Sequence, residues 1–206
     1  MSVAERRERE QLMRREVILD AAGKLFEEKG YGPTTVDEIA TLAELGKGTI
    51  YSYFKSKEEI YVALMEKNLS GLKERMNSVI KTSASAVDNL YGLYDTFISF
   101  HNENKGFVDT LLIQTDEQLF IRLGHLADGL RAKFTEWLDF VGSVLQKGVH
   151  QGEFTQMDVK KVAKIIIGII LGMIVENKMG QIDEDLTHYR ASAFQLVLDG
   201  IRKEHG

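Results

Sequence analysis

The chain has 206 residues, of which 44% are hydrophobic, with a single proline (Pro33), no cysteine and a formal net charge of −5. Such a length supports one large helical domain or a small module joined to a larger one, and the lack of cysteine excludes disulfides, thiolate metal sites and a cysteine nucleophile. The start Met1-Ser2-Val3-Ala4-Glu5-Arg6-Arg7 lacks the apolar stretch of a secretion signal. The longest apolar run, Ile165 to Val175, is shorter than the roughly 18 residues a membrane span needs, so the expectation is a cytoplasmic protein with no membrane partner. Residues 1–60 hold 10 Lys/Arg against 12 Asp/Glu. Any nucleic-acid-binding face must therefore come from a few locally placed cations rather than from a basic domain.

With one proline and no long alternating Val/Thr run, helices are the means of organising this much apolar material, and the expected class is all-α. Arg6, Arg7, Arg9, Arg14 and Arg15 alternate with Glu5, Glu8 and Glu10 in i,i+4 pairs, which suits a solvated helical extension over residues 1–15 or an arm that reaches DNA. Val17, Ile18, Ala21, Ala22, Leu25 and Phe26 then recur at helical spacing and Gly30 supplies a stop. Thr35 with Glu38 forms a capping box for a second helix carrying Val36, Ile39, Ala40 and Ala43. A third, short helix is expected from Lys47 to Phe54, and a second capping box, Ser56 with Glu59, opens a long fourth helix with Ile60, Leu64, Leu69 and Leu72. Further breaks fall near Ser83–Ser85, Glu103–Gly106, Gln151–Thr155 and Gly180–Asp183.

Three short helices, the last two separated by a tight turn, have the layout of a helix-turn-helix. The third combines anchors with an outward face. Ile50 and Phe54, one turn apart, anchor it, while Lys47, Gly48, Tyr51 and Ser52 face solvent with hydroxyls and an ammonium suited to phosphates. Ile39-Ala40 followed by Gly48-Thr49-Ile50-Tyr51-Ser52-Tyr53-Phe54-Lys55-Ser56-Lys57-Glu58-Glu59 resembles the tetracycline-repressor (TetR) family. The resemblance implies that Thr35, Thr49, Tyr51 and Lys57 grip the DNA backbone and that Lys47, Gly48 and Tyr53 lie near base edges. It also implies a glycine in the turn and a serine at the third N-cap, where this chain has Glu44 and Gly46. Either Glu44 takes a positive φ, at about 1–2 kcal/mol, or the second helix runs on and Gly46 makes the turn; the second arrangement is the one expected.

The resemblance divides the chain into a headpiece, residues 1–60, and a helical ligand-sensing and dimerisation domain, residues 61–206, joined by the long fourth helix. Residues 158–178 and 185–204 match its last two helices in layout. The first is apolar on most sides, and its Gly168 and Gly172 permit close helix approach. Ile166, Gly168, Ile169, Gly172 and Met173, with Phe194 and Val197, are the expected homodimer interface. The aromatic-rich middle suggests an effector pocket formed by Tyr94, Phe97, Phe134 and Trp137, with His101, Gln114 and His125 as its few polar groups. No cofactor or metal site is expected, because the five histidines lack ligand spacing and no catalytic motif occurs. The expected function is a ligand-responsive repressor that binds operator DNA as a homodimer and is released by a small, largely apolar effector; the competing class is a helical interaction module with a degenerate headpiece.

Overall fold

The computed structural model describes residues 2–104, 123–182 and 185–201. Among the described residues the regular elements are helices, the class expected from the composition. Helix α1 spans Val3–Lys29 and begins with a complete capping box: the Ser2 hydroxyl accepts from the Glu5 amide at 3.2 Å, and the Glu5 carboxylate accepts from the Ser2 amide at 2.7 Å. It ends at Gly30, whose φ of 84° suits a glycine. Helix α2 (Val36–Leu42) carries the second box, with the Thr35 hydroxyl accepting from the Glu38 amide at 3.3 Å and Glu38 accepting from the Thr35 amide at 2.9 Å. Helix α3 spans Lys47–Tyr53 and α4 spans Lys57–Val79. At the start of α4 the Ser56 hydroxyl caps the Glu59 amide, but the Glu59 carboxylate reaches back to the Lys55 amide at 2.7 Å, one residue beyond a standard box.

The chain divides into two compact units, Met1–Asn68 with Asn104–Arg131 and Leu69–Glu103 with Ala132–Gly206. The division between Asn68 and Leu69 falls within α4. In the first unit Ile18, Ile39, Ile50 and Ile60 are fully buried. Phe26, Tyr31 and Tyr61 form an aromatic cluster with centroids 5.0–6.3 Å apart. Such inclined rings contribute beyond simple area burial.

The second unit is built on α5 (Ala86–Glu103), α6 (Leu126–Gln151, from Ala132 onward), α7 (Val159–Lys178), a 3-10 turn (Leu186–Tyr189) and α8 (Arg190–Ile201). Trp137 stacks on Phe97 at 5.4 Å with 17° between planes, and its indole N–H points at the Met76 sulfur, 3.2 Å away. The buried Asn89 side chain closes the α4–α5 connection by pairing with both the amide and the carbonyl of Lys81, at 2.9 and 3.0 Å. Glu153 accepts from the Ala86 amide at 2.9 Å through each carboxylate oxygen, capping α5 from a distant part of the chain. No helix among the described residues is long and apolar enough to cross a membrane.

Gly148 in α6 shows how tight this packing is. A Cβ there would overlap the Phe154 ring and approach the Ala86 Cβ to 2.7 Å. Alanine gains about 1 kcal/mol of helix propensity over glycine, yet overpacking a core costs about 1–3 kcal/mol. Gly148→Ala is therefore expected to lower the melting temperature; an unchanged or higher value in a thermal denaturation would contradict this packing.

Candidate nucleic-acid interface and effector site

The turn between α2 and α3 resolves the choice posed by Glu44 and Gly46, against the expected arrangement. Glu44 has φ 53°, while Gly46, with φ −69°, is an extended N-cap. The Leu45 amide donates to the Ala40 carbonyl at 2.9 Å and the Glu44 amide to the Thr41 carbonyl at 3.2 Å, the two bonds of a Schellman motif. Glutamate thus occupies the left-handed position where glycine is normally found. The turn geometry is satisfied by backbone bonds, so the side chain is tolerated rather than required.

Helix α3 has seven residues and no side-chain cap. Ile50 and the following Phe54 are buried and pin it to the headpiece, and Phe54 is covered by the Arg15 guanidinium 4.4 Å from its ring centre. The outward face carries Lys47, Gly48, Tyr51 and Ser52, all exposed, with Tyr51 at 46%. Thr49 and Tyr53 are half-buried. A Cβ at Gly48 would meet nothing within 4 Å, so packing within the chain does not require glycine there and the space in front of α3 is open. Lys47 pairs with Asp37 at 2.6 Å, a hydrogen bond that raises its pKa. Thr35 is exposed but engaged in its cap.

Lys57 is placed differently from the expectation of a phosphate grip. Its ammonium lies 2.8 Å from the Tyr31 carbonyl, 3.1 Å from that of Gly32 and 2.8 Å from that of Thr34, and 4.2 Å above the Tyr31 ring. An ammonium has three donors and no acceptor, and here it gathers the α1–α2 loop. Tyr31 in turn donates its hydroxyl to Glu58 at 3.0 Å. Glu38, hydrogen-bonded first by Lys29 and then by Thr35, is held down to a pKa of about 2 and stays charged at neutral pH.

In the body, Tyr94, Phe97 and Trp137 line a small apolar cavity of about 10 Å³, barely the room of one water molecule. Phe134 is half-buried with its ring edge-on to Trp137 at 5.4 Å. The Tyr94 hydroxyl donates to the Leu186 carbonyl at 2.5 Å, and burial pushes its pKa up to about 12. The wall is completed by Met76, Leu90, Leu93 and Val141 and by Ile166, Ile167 and Ile170 of α7, with Phe194 of α8. Ile166 of α7 and Phe194 of α8, expected at the dimer interface, therefore face their own core: with α7 apolar on most sides, periodicity alone could not say which of its stripes turns inward. The outward stripe holds Ile165 at 56% exposure with Gly168 and Gly172 exposed, while Ile169, Met173 and, on α8, Val197 are half-buried. His101 is half-buried near the end of α5. His125 does not join the aromatic cluster; it belongs to the headpiece unit, fully exposed, with Asp128 at 3.8 Å. Gln114 lies outside the described residues.

An anchored short helix with an open polar face, paired with a body built around an apolar cavity, defines a helix-turn-helix regulator with a sensor. Residues 18–64 match the family described as "Bacterial regulatory proteins, tetR family", and residues 118–193 match "Tetracyclin repressor-like, C-terminal domain". The fatty acid metabolism regulator protein of Bacillus subtilis (strain 168) is 32% identical over 192 residues, 91% of this chain and 95% of that protein. The transcriptional repressor KstR2 of Mycobacterium tuberculosis (strain ATCC 25618 / H37Rv) is 29% identical over 74% of this chain and 76% of its own. The crystal structure of the transcriptional regulator FadR from Bacillus subtilis in complex with stearoyl-CoA superposes with a TM-score of 0.76 at 28% identity, covering 91% of this chain and 99% of that one. The chain belongs to the TetR family, and it is a ligand-responsive, DNA-binding transcriptional regulator.

The left-handed glutamate generates a test. Replacing Glu44 by glycine removes about 1–2 kcal/mol of backbone strain against roughly 0.5–1 kcal/mol of glycine entropy, and deletes a negative charge from the exposed turn that leads into α3. Glu44→Gly is expected to melt at the same or a slightly higher temperature and to bind operator more tightly. Weaker binding by the variant in a titration at fixed salt would contradict the placement of this turn next to phosphate.

Proposed function

We propose that this protein is a homodimeric repressor whose operator grip is released by a long-chain fatty acyl thioester. The observation that carries the effector class is the composition of the cavity wall: its one hydroxyl, on Tyr94, already donates to Leu186, and the rest of the lining is aliphatic, aromatic or thioether. Such a wall offers nothing to a charge and favours an apolar chain, with the polar head left outside. The stearoyl-CoA complex of the Bacillus subtilis FadR and the fatty-acid role of the 32%-identical relative support the acyl choice. Because the cavity holds only about 10 Å³, an acyl chain must open it, and this reorganisation is the means by which ligand favours a second state. A ligand shifts such an equilibrium only by its difference in affinity between the states.

On the DNA side, Thr49, Tyr51 and Thr35 are the proposed phosphate grips, and Lys47, Gly48 and Tyr53 the residues near base edges. Lys57 supports them by holding the α1–α2 loop.

The effector class is tested by competing labelled upstream DNA with CoA thioesters of increasing chain length while following the single tryptophan, Trp137. About 0.8 kcal/mol per buried methylene corresponds to an affinity gain of roughly tenfold for each two-carbon step, before reorganisation is subtracted. Long-chain thioesters should displace the DNA and change Trp137 emission, and free CoA should do neither. Equal behaviour of all chain lengths, or release by CoA alone, would remove the acyl assignment.

The dimer rests on the α7 stripe. A side chain at Gly168 or Gly172 would meet nothing within the protomer, so a large residue there leaves the monomer fold intact and blocks only a close neighbour. Gly172→Leu is expected to shift the sedimenting species from dimer toward monomer and to weaken operator binding, since two half-sites must be held at once. A dimer unaffected by both Gly172→Leu and Ile169→Glu would place the interface elsewhere.

A further inference from the structure

Repressors need cations for phosphate, and the folded part of this headpiece has already used most of its own. Lys29 pairs with Glu38, Lys47 with Asp37, Lys67 with Glu16 and Asp20, and Arg131 with Asp128. Arg15 lies on Phe54 and Lys57 on three carbonyls. What remains is concentrated at one end. Residues 2–14 of the chain are exposed, and within them the Arg6, Arg7 and Arg9 side chains stand in no ion pair or hydrogen bond among the described residues, as do Lys24 and Lys55 further along.

The stretch is nonetheless built as a helix. Its tip is closed by the Ser2–Glu5 capping box, and a Glu10–Arg14 pair at 3.6 Å lies on its surface. A free helix of this length is marginal in water, so the cap and the continuity with the buried Ile18–Phe26 part of α1 hold it extended. From Val3 to Ile18 it reaches about 22 Å at 1.5 Å per residue. At 100° per residue, Arg6, Arg7, Arg9 and Arg14 fall within a sector of roughly 160°, with Glu5 and Glu8 outside it and Glu10, the partner of Arg14, inside it. The sector carries four guanidiniums against one carboxylate, a net positive face that suits a row of phosphates.

We propose that the N-terminal part of α1 is a phosphate-gripping arm that carries Arg6, Arg7 and Arg9 to the backbone of the operator duplex. The proposal rests on the DNA-binding reading above. Guanidinium is suited to phosphate through its forked donors, and contacts of this kind set affinity and register without reading sequence. Leu12 and Met13, exposed near the base of the arm, make a second copy of the chain the competing occupant.

The test compares the full-length protein with Arg6→Gln/Arg7→Gln/Arg9→Gln on an upstream duplex and on an unrelated duplex, over a salt series. Each guanidinium that grips a phosphate contributes about 0.9 to the slope of log K against log salt. The variant slope should therefore be shallower by roughly 3 per protomer, with affinity for both duplexes falling by the same factor of about ten or more at physiological salt. A variant with the wild-type slope, or one that loses affinity only because its dimer dissociates in sedimentation, would overturn the proposal. Glutamine keeps the helix, and circular dichroism verifies that it does. If the wild-type protein itself binds neither duplex, the underlying DNA-binding reading fails instead; if it binds and the variant binds identically, the arm alone fails.

Discussion

A helix of seven residues does not persist in water, because nucleation is unfavourable and too few bonds follow it; the outward face of α3 therefore exists only through its anchors. Ile50 and Phe54 are buried beneath it, the Schellman turn at Glu44 fixes its entry, and Glu59 catches the Lys55 amide just beyond its end. Lys57 then ties the α1–α2 loop to the start of α4 through three carbonyls. The exposed groups, Tyr51 and Ser52 with Lys47 and Gly48, which we propose face DNA, are what these anchors leave outside. Loss of the anchors would remove the face without touching any of its residues.

The body is the converse case, a core that under the proposed function has to give way. Phe97, Trp137, Tyr94 and the isoleucines of α7 close on a space of about 10 Å³, which packing energetics favours when the site is empty. Burial of a long chain would supply several kcal/mol gross, at about 0.8 kcal/mol per methylene, to offset separating these side chains. The same α7 that lines the cavity with Ile166, Ile167 and Ile170 presents Ile165, Gly168 and Gly172 on its other side. Under the proposed function, opening the cavity and arranging the dimer are thus demands on one helix. In the headpiece, α4 supplies Ile60 and Tyr61 to the core, and in the body the same helix supplies Met76 to the cavity wall.

Much of this was legible in the residues, for identifiable reasons. Both T/S-x-x-E patterns mark true helix starts because a cap is a local bond between residues three apart. Ile50 and Phe54 were readable as anchors from their one-turn spacing. The Glu44 turn was misjudged because glycine at position 46 looked like the natural bearer of positive φ, whereas backbone bonds to Ala40 and Thr41 fixed that conformation two residues earlier. Lys57 was matched to phosphate because a motif carries residue types, not the carbonyls of Tyr31, Gly32 and Thr34 that converge on it only after folding. Ile166 was assigned to an interface because a helix apolar on most sides has no sequence-visible inner face, and Phe194 of the last helix was assigned there with it. His125 sits some 30 residues from the aromatic cluster along α5 in sequence, and nothing in its neighbourhood signalled that it groups with the headpiece instead.

The central claim is that α3 presents Tyr51 to the DNA backbone from a fixed platform. Its most direct measurement is the affinity of wild type and Tyr51→Ala for a duplex from upstream of the protein's own gene, at one stated salt concentration, with melting temperatures recorded alongside. Tyr51 is exposed and anchors nothing, so the account requires an unchanged melting temperature with a clear loss of binding. Binding that ignores the substitution would contradict it.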